Sequence, residues 1–240
     1  MPLTLLNLIQ ETCIRTGVPK PASAIGSFDK QVQQMVGLAN ELVEETLTRG
    51  TWQETIRECV FTTVAGEVQG TLDSLAVYGL KYILNETIYN RTLRLPLYGP
   101  LSASEWQALK ALPNAGPFYK YRIRQNTLHF NPAGVAGQIC AFEYESRYAI
   151  VAEDGLTYKS QFTKDTDSIV LQEDMMRAGL RWKWKAEKGL AYDEDFRRYE
   201  TMLNNNLGND GTKRTLNMSQ TRTEYRPGIF VPTGNWNLPT

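Results

Sequence analysis

The chain has 240 residues with 26 basic and 26 acidic side chains, so its formal net charge is zero. That length can hold one large domain or two small ones, and the charge balance leaves no global field to gather nucleic acid, although a local basic face stays possible. Three widely spaced cysteines, Cys13, Cys59 and Cys140, argue against a disulfide framework, and no apolar run approaches the ~20 residues of a membrane span.

The opening stretch MPLTLLNLIQETCIRTG has neither a basic start nor a small-residue cleavage site, so we expect no signal peptide and synthesis in a cytoplasm. Residues 4–16 read as a helix. Thr4 can cap it, Leu5, Leu8, Ile9 and Cys13 share a face, and Gly17 can stop it. After a proline-containing loop, Ser27 or Asp29 opens a second helix. There Val32, Met35, Val36, Ala39, Leu42, Val43 and Thr46 keep helical spacing until Gly50. Trp52, just beyond it, reads as a core plug.

The apolar period then changes. Segments 59–64, 82–95, 118–124, 127–131 and 138–151 favour strands. Arg124 to Thr127 has the form of a hairpin turn, and PAGVAG (132–137) that of the next one. A short helix over 102–112 interrupts the strands, with Ser102 and Glu105 spaced as a capping box and Pro113 as its stop. No strand–helix alternation repeats, which favours an antiparallel sheet.

From Leu171 the helical period returns, and Gly189 splits it into two helices. Met175, Gly179, Trp182 and Ala186 lie on one stripe, and Tyr192, Phe196, Tyr199 and Leu203 on the facing one. The expected fold is α+β. A discontinuous antiparallel helical bundle (1–52 and 171–210) carries an inserted, mainly antiparallel β domain (53–170), followed by an extended C-terminal arm (211–240). The arm sets Tyr225, Phe230 and Trp236 among Pro227, Pro232 and Pro239, with too little apolar surface to fold alone. Those rings read as anchors on a partner surface, with Arg222 and Arg226 at the rim. The surface is a neighbouring copy, another protein or the chain's own body, and the alternative is an arm that docks on nothing.

Chemistry is sparse. His129 is the only histidine, which excludes a two-histidine metal site, and its alternation with Leu128 and Phe130 points it outward on a strand. No nucleotide-binding or nucleophile-elbow motif and no metal-ligand spacing occurs, so no cofactor and no metal are expected. Asp165 and Asp167 could bind a divalent cation, or with Glu143 serve as the acids of a glycoside-cleaving enzyme; two acids in a short loop read better as turn formers. Asp193, Glu194 and Asp195 complement the dipole of the last helix. Lys120, Arg122 and Arg124 alternate with Tyr119, Tyr121 and Ile123, giving one strand a cationic face suited to DNA or an interface. Arg177, Arg181, Lys183, Lys185 and Lys188 crowd one helix around Trp182 and Trp184, where core packing and a solvated or protein-facing side explain them better than nucleic acid.

Four blocks stand in a telling order: RTGV (15–18), RGTW (49–52), NTLHFNPAGVAGQICAFEYESRY (126–148) and FTKDTDSIVLQEDMMRAGLRWKWKAEKGLAYDEDFRRYE (162–200). Together they resemble the head-to-tail adaptor family of short-tailed double-stranded DNA phages, the group that includes tail tubular protein A. The region 65–117 carries little of the likeness. The resemblance implies a helical bundle bearing a β domain and a homo-oligomeric ring, commonly of twelve copies, at the head-to-tail junction of the virion. Its partners would be the portal protein, the tail nozzle protein and genomic DNA passing through the lumen without sequence recognition. It implies no membrane, no cofactor and no enzymatic activity. The rival readings are a tail-associated cell-wall hydrolase and a nucleic-acid-binding module.

Overall fold

The computed structural model describes residues 3–84, 87–111 and 118–210. The expected arm, with Arg222, Tyr225, Arg226, Phe230 and Trp236, lies outside the described residues, as does Pro113.

Helix α1 (Leu5–Thr16) begins where the Thr4 side chain accepts the Asn7 N–H and ends at Gly17, whose φ of 73° is left-handed. Of the two candidate starters of α2 (Lys30–Thr48), Asp29 is the cap. Its buried side follows the predicted spacing except at Val36, which is half-buried, and is widened by Leu38 and Leu47. Two more helices turn back on each other at Gly189; these are α5 (Glu173–Glu187) and α6 (Asp193–Asp210). Their predicted stripes meet, with the Trp182 ring 5.1 Å from Phe196 and 6.0 Å from Tyr199. The four helices bury one core around Leu8, Met35, Leu42, Met176, Leu180 and Trp184. Trp52 plugs it as expected, donating its Nε1–H to the Thr46 carbonyl at 3.0 Å.

Between the helix pairs lie β1 (Ile56–Thr62), β2 (Gly66–Thr71), a one-turn helix α3 (Leu72–Leu75), β3 (Leu80–Ile83), β4 (Tyr89–Asn90) and β5 (Leu95–Pro96). Helix α4 (Ala103–Ala111), β6 (Lys120–Arg124), β7 (Thr127–Gly134) and β8 (Ile139–Ser146) follow. One antiparallel sheet runs β1-β8-β4-β5 with β3 also on β8, and a second runs β2-β7-β6. Their inner faces form a second core in which Phe61 and Phe142 of the first sheet meet Phe130 and Tyr121 of the second. The Phe61 and Phe130 ring centroids are 6.3 Å apart. The α4 capping box forms as predicted. Ser102 N–H reaches the Glu105 carboxylate at 2.8 Å, and Glu105 N–H reaches Ser102 Oγ at 3.3 Å. The architecture is α+β.

Several expectations need correction. The segment 82–95 is not one strand. It breaks after Ile83, resumes at Tyr89–Asn90 and turns before Leu95. Arg124 to Thr127 is a hairpin turn, with Gln125 and Asn126 both left-handed (φ 49° and 57°). PAGVAG, in contrast, crosses between sheets, because β7 pairs only with β2 and β6 while β8 pairs with β1, β3 and β4. The stretch 138–151 also divides. Ser146 Oγ donates to the Tyr78 carbonyl and Arg147 N–H to Gly79, which ends β8. Beyond it a small sheet joins β9 (Ile150–Val151) to β10 (Tyr158–Lys159) and β11 (Ser168–Ile169). Ala149, Ile150, Phe162 and Ile169 belong to the helical core, so packing assigns the chain from about Ala149 onward to the helices, ahead of the 170/171 boundary expected from periodicity.

The two cores are tied together at the end of α2. Lys81 on β3 donates its ammonium to the carbonyls of Leu47 (2.6 Å) and Gly50 (3.2 Å) and to the carboxylate of the fully buried Glu145 (2.9 Å). One cation thereby satisfies orphan carbonyls of a helix end and a buried acid of the sheet.

Candidate functional site

The loop holding Asp165 and Asp167 is pinned to the start of α1, whose Leu6 and Leu5 donate N–H groups to their carbonyls at 3.2 and 2.8 Å. The Asp165 carboxylate accepts from Ala24 N–H (3.1 Å) and Ile25 N–H (2.8 Å). The buried Asp167 carboxylate accepts from the Thr163 and Lys164 N–H groups (2.8 and 2.9 Å) and from Lys159 Nζ (2.8 Å). Burial alone pushes both carboxyls up, and these donors outweigh it, holding both below the usual carboxylate range. Oxygens so engaged fix loops. Glu143 lies elsewhere, exposed on β8, and the structure pairs it with neither aspartate.

Substituting Asn for Asp167 should therefore cost about 2 kcal/mol of stability, the loss of charge-assisted bonds at a buried site. Because the folded carboxyl titrates below its ordinary value of 3.8, its contribution is present above that pH and disappears as pH falls through the folded value. Urea titrations from pH 6 down to pH 3 should show the variant losing less stability with acid than the parent. Parallel curves would contradict this role.

The cations of α5 are used within the chain. Arg177 pairs with Glu11, Glu173 and Asp174; Arg181 and Lys185 share Asp195 at 2.5 Å each; Lys183 bridges Glu41 and Glu45 of α2 at 2.8 Å each. Lys188 bonds Gln34 and lies 4.4 Å over the Trp184 ring. Asp195, expected only to complement a helix dipole, also clamps α6 to α5. The strand cations differ. Lys120 and Arg122 are half-buried and Arg124 exposed, and none has an ion-pair partner among the described residues.

His129 is not outward-facing in the expected sense. It is only 7 % exposed, because α4 lays Trp106 across it at 6.4 Å and Glu67 approaches its Nδ1 at 3.3 Å. Glu67 also holds Lys110 at 2.8 Å, and that bond keeps its carboxyl below the usual range. The three cysteines are free and buried, and burial pushes the Cys59 and Cys140 thiols up to about 11. Among the described residues no cluster of His, Cys, Asp or Glu could hold a metal ion, and no helix is long and apolar enough to cross a membrane.

What remains is surface, and one part of it was missed from sequence. On the outer face of the larger sheet, Val60 and Ile139 are 53 % and 46 % exposed beside Glu58 and Glu143. An open depression of about 380 Å³ lies there, lined by Glu58, Thr87, Tyr89, Arg91 and Glu143 together with Ala141 and Phe142. The alternation in RECVFT was the available signal, with Glu58, Val60 and Thr62 on one side and Cys59 and Phe61 on the other. Compared with known proteins, the chain matches no family model and no curated sequence.

Proposed function

We propose that the chain is a structural head-to-tail adaptor of a short-tailed double-stranded DNA phage, forming a ring between the portal and the tail nozzle around the exiting genome. The observation that carries this reading is the layout. Two helices, a β insertion and two returning helices bury a split core, which is the arrangement the resemblance implies. The blocks that resemble the adaptors fall at its fixed points: the Gly17 stop, the Trp52 plug, the β7–β8 crossover and the Gly189 turn. The work of such a protein is geometric. Copies meet through unlike surfaces in a heterologous interface that closes on itself, and the 211–240 segment adds contact on a neighbour or on the portal. Asp165 and Asp167 support the fold in this reading and serve no hydrolysis. Phage particles assembled without the chain should hold DNA-filled heads that lack tails. Tailed, infectious particles made in its absence would refute the assignment.

A contact with the passing DNA belongs to the same reading, and Lys120, Arg122 and Arg124, without ion-pair partners among the described residues, favour it. Three phosphate contacts correspond to a salt-dependence slope of about 2.7. Replacing all three residues by alanine should flatten the salt dependence of DNA retention by up to that amount. An unchanged slope would remove DNA from the role of this strand.

A further inference from the structure

The outer face of the larger sheet is covered at one end only. Its row containing Glu145 lies against Lys81 and the end of α2, whereas on the next three rows Glu58, Glu143, Val60, Thr62 and Ile139 are exposed and only the small Ala141 is buried among them. Leu84 N–H bonds the Glu143 carbonyl, so the backbone of Glu143 points away from β1. Glu58 and Glu143 therefore form a non-hydrogen-bonded cross-strand pair, the kind in which side chains come closest. Two carboxylates opposed in this way repel each other, and among the described residues only Glu58 has a cation, Arg91. The open face thus joins exposed apolar side chains to acidic groups short of positive charge.

The described chain ends at Asp210, whose carboxylate accepts the Gln53 N–H at 2.7 Å, just before β1 begins at Ile56. The thirty residues that follow could reach about 100 Å. They hold four cations, Lys213, Arg214, Arg222 and Arg226, and one anion, Glu224. Of the 26 and 26 in the whole chain, residues 1–210 keep 22 cations and 25 anions, so a segment of charge +3 leaves a body of charge −3. We propose that this open sheet face is the acceptor for residues 211–240 of a neighbouring copy. Phe230 or Trp236 would enter the depression, and Arg222 and Arg226 would meet Glu143 and Glu58. A donor segment and a different acceptor face on every copy make a head-to-tail contact. The proposal rests on the oligomer in the adaptor reading and needs neither portal nor phage.

Two full-length variants test it, each checked for folding by circular dichroism. Phe230→Ala with Trp236→Ala disables the donor, and Glu58→Lys with Glu143→Lys disables the acceptor. Light scattering should show concentration-dependent association of the parent chain and at least a tenfold weakening in each variant alone. Mixing the two variants should yield a 1:1 complex, because each retains the half that the other lost. Adding Arg222→Glu and Arg226→Glu to the acceptor variant should restore its self-association. No complex in the mixture, or acceptor variants that associate like the parent, would overturn the proposal. A parent chain that stays monomeric at every concentration would also overturn it. If instead particles lacking the chain grew normal tails, the adaptor reading would fail while the 1:1 complex was still expected.

Discussion

Replacing Gly179 by valine is expected to destabilise the protein by about 3 kcal/mol, the upper part of the range for overpacking a filled core. A Cβ at this position would lie 2.7 Å from both methyl carbons of Leu42 and 3.1 Å from Cε2 of Tyr199. Neither neighbour can yield cheaply. Leu42 is fully buried between the helices, and the Tyr199 hydroxyl is held at 3.0 Å by Thr46 Oγ1. The branched side chain would have to separate α2 from α5 and would also disturb the Trp182 cluster. Gly37, on the exposed side of α2, makes the opposite case, since a Cβ there meets nothing within 4 Å. Gly37→Ala should gain about 0.5–1 kcal/mol from helix propensity alone. Urea midpoints that move in opposite directions for the two glycines would support this packing. A harmless Gly179→Val would mean that the helices do not approach as described.

Lys81→Met is expected to cost about 3 kcal/mol, the low end for breaking a buried ion pair. The Glu145 side chain has no solvent exposure and its Oε2 has no hydrogen-bond partner among the described residues, so removing Lys81 strands a buried carboxylate. The carbonyls of Leu47 and Gly50 lose their donor in the same step. Lys81 is itself 26 % exposed, so water can replace part of what it supplies, which argues against the upper end of that range. Adding Glu145→Gln removes the stranded charge, and the double variant should regain at least half of the loss. A cost below about 1 kcal/mol, or a double variant no better than the single, would show that this ammonium does not join the two cores.

The five longer helices were legible because most carry their own punctuation, whereas the one-turn α3 was not foreseen. Thr4, Asp29, Ser102 with Glu105, Gly17 and Gly189 are local signals that need no partner to act. Strand partners were not legible, since an apolar side chain announces only that it is inside. β8 became the centre of its sheet through pairings with β1, β3 and β4 that nothing in its own residues specifies. β2, with the sequence GEVQGT, has two glycines and no apolar alternation, and its pairing contains register shifts. His129 defeated the period rule because α4 covers the outer face of its strand. Leu128, His129 and Phe130 are buried in succession, and a strand covered on both faces has no alternation to read. Glu143 and Glu145 show the same limit at the candidate surface. They share one face of one strand, yet the first is exposed while the second lies under the end of α2. Asp165 and Asp167 were readable as turn formers, but their partners at Ala24, Ile25 and Lys159 were set by tertiary packing.

The proposed role is assembly, and the mass of the purified chain, alone and mixed with a candidate portal ring, tests it most directly. The adaptor reading predicts a closed ring of this chain on the portal, with assembly stronger there than in the free protein, because a preformed template offsets part of the freedom lost on association. A chain that stays strictly monomeric in the presence of the correct portal would contradict it.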